Sequence, residues 1–171
     1  MEESGYYFGF PHRSESYPNS QQESILVLEK MKNPDIEFFN LSDINPKQPF
    51  MNYLEENNLD FSENNLSQII FESLPALMDN KRFHNRPRPT QVNANINPVK
   101  SQTAATPSYP AGHTFQSYLI AHHLSHNHPK HRDEFFQIAK RIADARVSVG
   151  LHYPSDNEGG IALANRYLNL C

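Results

Sequence analysis

Cysteine, tryptophan and long apolar runs are scarce in this sequence. Its 171 residues contain no tryptophan and a single cysteine, Cys171, which is the last residue. One cysteine excludes an internal disulfide and gives no support for a thiolate metal site or a cysteine nucleophile. No apolar stretch approaches the roughly 18 residues that a membrane-spanning helix needs. A membrane is therefore not an expected partner.

An excess of positive charge is also missing. Lys and Arg together number 15 against 19 Asp and Glu, which gives a formal net charge of -4. Nucleic acids and anionic lipid attract basic proteins, so neither is an expected partner and any anion site must be local. The first residues, MEESGYYFGF, lack the basic region and the apolar run of a secretory signal. We expect a cytoplasmic protein, and a periplasmic one only if a leader is missing; the oligomeric state, including a homo-oligomer, stays open.

What the sequence does contain is helical periodicity. Residues 1–22 alternate aromatic side chains with Pro, Ser and Asn in no period, which predicts a poorly structured N-terminal arm. Residues 23–171 are expected to form one helical domain. Its predicted helices cover residues 24–31, 49–58, 60–81 with a capping box at Asp60, 112–126, 133–145, and 154 to the C-terminus. A long loop covers residues 87–110, and no alternating strand pattern occurs, so the predicted class is all-α.

Three short patterns follow one another in the second half of the chain. They are Lys81-x6-Arg88-Pro89, Pro110-Ala111-Gly112-His113 and Arg146-x5-His152-x3-Asp156. Each pattern alone occurs by chance, but the order and separations of all three are hard to obtain accidentally. We interpret the set as one functional site.

The cations of the first and third patterns suit a phosphoryl group. Lys81 and Arg88 are two helical turns apart, so they would face one site if the helix continued until Pro87 and Pro89 break it. Arg146 would add a planar guanidinium from elsewhere. Such a set of cations binds phosphate oxygens and favours their charge in the transition state.

The second pattern predicts an anion seat with an acid beside it. Gly112 opens a helix directly after Pro110, so its backbone amide and that of Ala111 can point at an anion, helped by the helix dipole. His113 lies in the same first turn. There it can protonate the departing alcohol as a general acid.

The third pattern supplies a nucleophile and its partner. Asp156 lies four residues after His152, so it can accept the Nδ1 hydrogen and leave a lone pair on Nε2 for in-line attack. Water would then hydrolyse the phosphohistidine, with His113 acting as the base. Arg82, His84 and Arg86 interleave with the first pattern and are candidates for contacts with the substrate.

The three patterns together resemble those of the phosphatidic-acid phosphatase type 2 superfamily, which includes soluble bacterial class A acid phosphatases, membrane lipid phosphatases and vanadium haloperoxidases. The stretches SYPAGHT and ARVSVGLHYPSD are especially similar, and the resemblance covers about residues 66–168. It implies an antiparallel helical bundle with the active site at its core, and it favours the class A acid phosphatases. The roles it implies are catalysis by His152, His113 and Asp156, and phosphate binding by Lys81, Arg88, Arg146, Gly112 and the backbone of Ala111.

Two departures from that family pattern predict reduced activity. Ala111 and Ala145 stand where the family usually has Ser, so a hydroxyl is lost at each position. Loss of a charge-assisted hydrogen bond to phosphate costs roughly 1.5–3 kcal/mol. The backbone of Ala111 is unaffected by this change.

The expected function is that of a metal-independent acid phosphatase acting on small-molecule phosphate monoesters without a cofactor. Two alternatives stay open: a vanadium-dependent haloperoxidase, in which vanadate is the cofactor rather than an inhibitor, and a degenerate member that binds phosphate without catalysis. The histidines at 122, 123, 126, 128 and 131 form a run that could indicate a zinc site, since His122 and His126 share a helical face. Solvated histidines are favoured instead, because neither Cys nor an HExxH pattern accompanies them.

Overall fold

The computed structural model describes residues 15–170, and the regular structure within that range is entirely helical. The elements in chain order are α1 (Ser20–Lys30), α2 (Ile36–Ser42), α3 (Gln48–Glu56), α4 (Glu63–His84), α5 (Pro89–Val92), α6 (Gly112–Asn127), a 3₁₀ turn (Pro129–His131), α7 (Arg132–Ser148) and α8 (Pro154–Tyr167). The predicted all-α class is confirmed. None of these helices is both long enough and apolar enough to cross a lipid bilayer.

Helix α6 is the centre of the bundle. It packs along α7 and α8 and also contacts α4. Ile120 and Leu124 face the main core beside α7, whereas Phe115 and Leu119 face a second apolar cluster with α4 and α8. A helix that is apolar on more than one side is buried among its neighbours. This position brings the N-terminus of α6, which carries His113, into the interior.

The chain from residue 15 to the end of α1 is more ordered than the sequence indicates. Helix α1 begins at Ser20 rather than at residue 24, because the side chain of Asn19 caps it by accepting from the Gln22 amide. Tyr17 is also buried. The predicted arm over 1–22 therefore includes packed residues at its end, and its residues 1–14 lie outside the described range.

One helix was missed, and the start of another differs from the prediction. Helix α2 was not predicted; it is short, and it buries Phe38 and Phe39 after a cap in which Asp35 accepts from the Phe38 amide. Helix α4 is capped by Ser62 and not by Asp60. In both cases the capping side chain accepts an amide hydrogen three residues later, which is the usual geometry.

Helix α4 ends at His84, so Lys81 and Arg88 are not on one continuous helix, and the prolines are not what ends it. Asn85 caps its C-terminus with a φ of 48°, in the left-handed region that Asn tolerates. Arg86 precedes Pro87, and a residue before proline is disfavoured in the α region. The chain turns here and places Arg88 at the start of α5.

Candidate active site

A cavity of about 280 Å³ lies at the N-terminus of α6 and beside α4. Six of the eight predicted site residues line it: Lys81, Arg88, Gly112, His113, Arg146 and His152. The structure thus brings all three sequence patterns to one place. Asp156 lies behind His152, and Ala111 does not reach the cavity.

Hydrogen bonds on both sides fix the tautomer of His152. Arg88 Nη1 lies 2.9 Å from His152 Nε2, and Asp156 Oδ2 lies 2.9 Å from His152 Nδ1. A guanidinium can only donate and a carboxylate can only accept, so Nδ1 carries the hydrogen and Nε2 carries the lone pair. Burial and the nearby positive charges of Arg88 and Lys81 hold the pKa of His152 well below its usual value. The ring is thus a neutral nitrogen base facing the cavity.

Asp156 is held rigidly in the first turn of α8. Its Oδ2 accepts from the Tyr153 amide at 3.0 Å and from the hydroxyl of Ser108, and its Oδ1 accepts from Arg86 Nη1 at 2.9 Å. Burial raises the pKa of Asp156, and the positive charge of Arg86 is the strongest opposing influence. This carboxylate can therefore orient His152 without contact with solvent.

His113 occupies the first turn of α6. Its tautomer is the opposite of that of His152. His113 Nε2 lies 2.6 Å from the main-chain oxygen of Asp43, which can only accept, so Nε2 carries a hydrogen. Burial, assisted by the positive charge of Arg146, lowers the pKa of His113 to about 3. In the cavity as it stands, His113 is a neutral donor.

Each of the three cations is buried and braced by neighbouring oxygens. Lys81 Nζ donates to Pro107 O at 2.6 Å, and burial lowers its pKa well below the usual value. Arg88 donates through Nε to Thr106 O at 2.9 Å. Arg146 donates through Nη1 to Asp43 Oδ1 at 2.8 Å, and its burial lowers its pKa to about 10.

One donor of Arg146 is unsatisfied among residues 15–170. Its Nε is buried and has no hydrogen-bond partner there. An unmade hydrogen bond of a buried charged group is costly, so such a donor usually has a ligand or water. Arg146 lines the cavity together with His152.

A comparison with protein families agrees with this geometry. The family model described as the PAP2 superfamily matches residues 65–171, which is more than half of the chain and includes all three sequence patterns. The chain belongs to the PAP2 superfamily. No individual curated protein matches it. Membership in the PAP2 superfamily indicates phosphoester hydrolase activity in general terms.

Neither Ala111 nor Ala145, the two residues that depart from the PAP2 pattern, lines the cavity. The amide of Ala111 donates to the main-chain oxygen of Asp156 at 3.0 Å, so it joins α6 to α8 and does not face the cavity. Ala145 is buried in the main apolar core. Gly112 does approach the site, since a Cβ there would lie 3.1 Å from Leu77 Cδ2 and 3.7 Å from Lys81 Cε.

Several residues of the site were not predicted from the sequence. Arg86, which was a candidate for a substrate contact, is fully buried on the far side of Asp156. Asp43 and Thr103 contact Arg146, and Thr106 contacts Arg88. No signal in the sequence indicated the contacts of Lys81 and Arg88, because they use the main-chain oxygens of Pro107 and Thr106, and nothing local indicated Asp43.

The histidines at the end of α6 do not converge. His122 packs edge-on against Phe136, His128 Nε2 donates to Asp60 O at 2.7 Å, and His131 Nδ1 lies 2.7 Å from Tyr53 Oη. Within residues 15–170 no group of three His, Cys, Asp or Glu side chains is placed to hold a metal ion. Each of these three histidines has a local packing or hydrogen-bonding partner.

Proposed function

We propose that this PAP2 protein hydrolyses phosphate monoesters of small molecules through a phosphohistidine on His152, without a metal cofactor. The observation that supports this most directly is the fixed tautomer of His152. Asp156 holds its Nδ1 hydrogen, and the Nε2 lone pair lies in a cavity with three cations. A neutral nitrogen beside a clamp for anions is the arrangement that nucleophilic phosphoryl transfer needs.

The first half of the reaction transfers the phosphoryl group to His152. Phosphate oxygens accept hydrogen bonds from Lys81, Arg88 and Arg146, and Arg88 Nη1 moves its hydrogen bond from Nε2 to an oxygen. Nε2 attacks phosphorus as the bond to the ester oxygen breaks. His113, protonated while the phosphate is bound, gives one proton to that departing oxygen, so the alcohol leaves neutral and the imidazole becomes neutral.

His113 becomes protonated only when the substrate is bound. In the empty cavity burial and Arg146 lower the pKa of His113 to about 3. A bound phosphate ester brings up to two negative charges beside the ring, and a nearby opposite charge raises the pKa of a histidine. In the second half, His113 takes a proton from water, the hydroxide attacks phosphorus, and the bond to Nε2 breaks to release phosphate.

The wall of the cavity favours substrates with an apolar organic part. Besides the charged residues and the polar residues Thr103, Thr106 and Gln116, six apolar residues line it: Ile44, Pro46, Ile70, Leu74, Leu77 and Met78. An apolar group against this wall is removed from water, at about 25 cal/mol per Å². We therefore propose aryl and short alkyl phosphates as better substrates than sugar phosphates.

The test is hydrolysis of para-nitrophenyl phosphate between pH 4 and 8, with and without excess chelator. We expect equal turnover in both conditions, inhibition by orthovanadate, and a labelled phosphoenzyme that is labile to acid and stable to alkali. His152→Ala should remove both turnover and label. His126→Ala, which changes an exposed histidine, is the matched control.

Three results would contradict the proposal. They are no turnover at any pH in the range, turnover abolished by the chelator, and turnover retained by His152→Ala. Bromide oxidation by peroxide after vanadate loading, at a rate above that of phosphate release, would instead favour a haloperoxidase.

A further inference from the structure

A buried ion network lies behind His152, on the side away from the cavity. Its centre is Arg86, whose side chain is fully buried. Nη1 donates to Asp156 Oδ1 at 2.9 Å and to Ser155 Oγ at 2.8 Å, Nη2 donates to Glu23 Oε1 at 2.8 Å, and Nε donates to Ser20 Oγ at 3.1 Å. The guanidinium thus joins α1 to the first turn of α8.

Two aromatic rings hold the same guanidinium from its faces. Its central carbon lies 4.0 Å from the ring centroid of Tyr17 and 3.6 Å from that of Tyr153. Arginine stacks on aromatic faces and presents its donors in a rigid plane. With both faces and all three nitrogens engaged, Arg86 has one orientation.

We propose that Arg86 is a positioning residue of the hydrolytic site: it fixes the Asp156 carboxylate that orients His152. This inference rests on the proposed function, because it assigns Arg86 a part in the same reaction. Arg86 binds one carboxylate oxygen, and His152 binds the other. The carboxylate therefore cannot rotate about its bond to Cβ without loss of one partner.

Charge explains why the contact matters for turnover. When Nε2 carries the phosphoryl group, the ring of His152 becomes cationic, and an ionised Asp156 stabilises it. Besides His152, the groups that act on this buried carboxyl are Arg86, Arg88, Lys81, Ser108, Tyr109 and the amide of Tyr153, with Glu23 on the far side of Arg86. Burial raises the pKa of Asp156, and Arg86 is the strongest influence that lowers it.

The network also connects the matched PAP2 region to the chain before it. Glu23 lies in α1, outside residues 65–171, and its carboxylate accepts from Arg86 and from the Ser155 amide. Removal of Arg86 alone would leave Glu23 as a buried charge with one cation fewer, which is destabilising. The test therefore neutralises both residues.

The first experiment follows the carboxyl carbon of Asp156 by NMR as pH changes, so it does not depend on activity. We compare wild type, Glu23→Gln, Arg86→Met with Glu23→Gln, and Arg86→Lys. Relative to Glu23→Gln alone, the double variant should raise the titration midpoint of Asp156 by at least about one pH unit. Arg86→Lys should raise it relative to wild type by a measurable amount, about 0.2 to 0.5 pH unit. Arg82→Met, which changes an exposed arginine in α4, should not move it.

The second experiment records the pH dependence of kcat for the same proteins. The acidic limb should move to higher pH in the double variant, with kcat at pH 5 reduced at least about tenfold relative to Glu23→Gln alone. A purely structural role would lower kcat at every pH and leave the limb in place. Arg86→Lys keeps the charge, so it remains informative if the double variant does not fold.

The outcomes separate the two proposals. An Asp156 titration and an acidic limb that stay unchanged in every folded Arg86 variant overturn the role of Arg86. A wild-type protein without phosphatase activity contradicts the proposed function, and the NMR titration still decides whether Arg86 controls Asp156.

Discussion

His113 donates its Nε2 hydrogen to the main-chain oxygen of Asp43 across 2.6 Å. Asp43 directly follows α2, and its side chain also accepts from Arg146 at 2.8 Å. One residue from the N-terminal third thus contacts both the candidate acid and one of the three cations. This contact occupies Nε2, so the proton that His113 gains at Nδ1 is the one available to the departing oxygen.

This contact predicts a dependence on the leaving group. His113→Asn removes the transferable proton but keeps a polar side chain. We expect a loss of about 10²- to 10⁴-fold in kcat/KM for alkyl phosphates, whose alcohols need a proton to leave. For para-nitrophenyl phosphate the loss should be at least about tenfold smaller, since nitrophenolate leaves without protonation. Equal losses for the two esters would contradict the role of His113 as an acid.

Neutralisation of Asp43 should strengthen phosphate binding. Hydrogen bonds from Ser101 and Arg146 lower the pKa of Asp43 although burial opposes them, so its carboxylate is charged over the working range. In Asp43→Asn that charge is lost. We expect the inhibition constant of inorganic phosphate to fall by about three- to tenfold, which is on the order of 1 kcal/mol.

The control for Asp43→Asn is Asp35→Asn, the same change in an exposed ion pair with Arg141. It should leave inhibition by phosphate unchanged. The prediction assumes that the Asp43 carboxylate and phosphate compete for Arg146. Weaker phosphate binding in Asp43→Asn would contradict it and would mean that Asp43 positions Arg146 for the anion.

The pKa of His113 predicts different pH profiles for kcat/KM and kcat. The first reports the free enzyme, in which the pKa of His113 is about 3, so the protonated fraction falls about tenfold per pH unit above that value. We expect kcat/KM to decline from pH 4 upward. The decline of kcat with rising pH should begin at a higher pH than that of kcat/KM, because bound phosphate raises the pKa of His113.

The measurement is a pair of profiles from pH 4 to 8 with an alkyl phosphate, whose alcohol needs a proton from His113 to leave. Ionisation of the substrate, near pH 6 for phosphate monoesters, affects every protein alike. His113→Asn therefore serves as the control, and its profiles should retain only that ionisation. Identical limbs for kcat and kcat/KM in wild type would contradict the prediction.

The sequence was most informative where partners are close in the chain. The spacing of His152 and Asp156 predicted their hydrogen bond, because four residues across a helix start bring the side chains together. Helical periodicity likewise predicted α4, α6, α7 and α8 within a few residues. The three patterns then predicted which side chains share the cavity, although the helix between Lys81 and Arg88 is interrupted.

Partners that are distant in the chain could not be predicted. Asp43 and Arg146 are separated by 103 residues, and Glu23 and Arg86 by 63. Such contacts depend on how the helices pack, and a single sequence carries no periodic signal for them. The direction of the Ala111 amide was missed for the same reason, since it depends on the approach of α8.

That approach of α8 to α6 gives a prediction on stability. A Cβ added at Gly160 would lie 2.8 Å from the carbonyl oxygen of Ala111 and 3.1 Å from the Phe115 amide nitrogen. These are backbone atoms, so Gly160→Ala requires the two helices to separate. Overpacking of this kind costs about 1–3 kcal/mol, which exceeds the roughly 1 kcal/mol that alanine gains over glycine within a helix.

We therefore expect Gly160→Ala to lower the free energy of unfolding in urea and to lower kcat, because the same N-terminus of α6 carries His113. The control is Ala162→Gly at an exposed position of α8, which tests helix propensity alone. It should lower the free energy of unfolding by about 1 kcal/mol and leave kcat unchanged. A stabilised Gly160→Ala protein would mean that α6 and α8 can separate at no cost. Lower stability with unchanged kcat would mean that His113 does not depend on this helix contact.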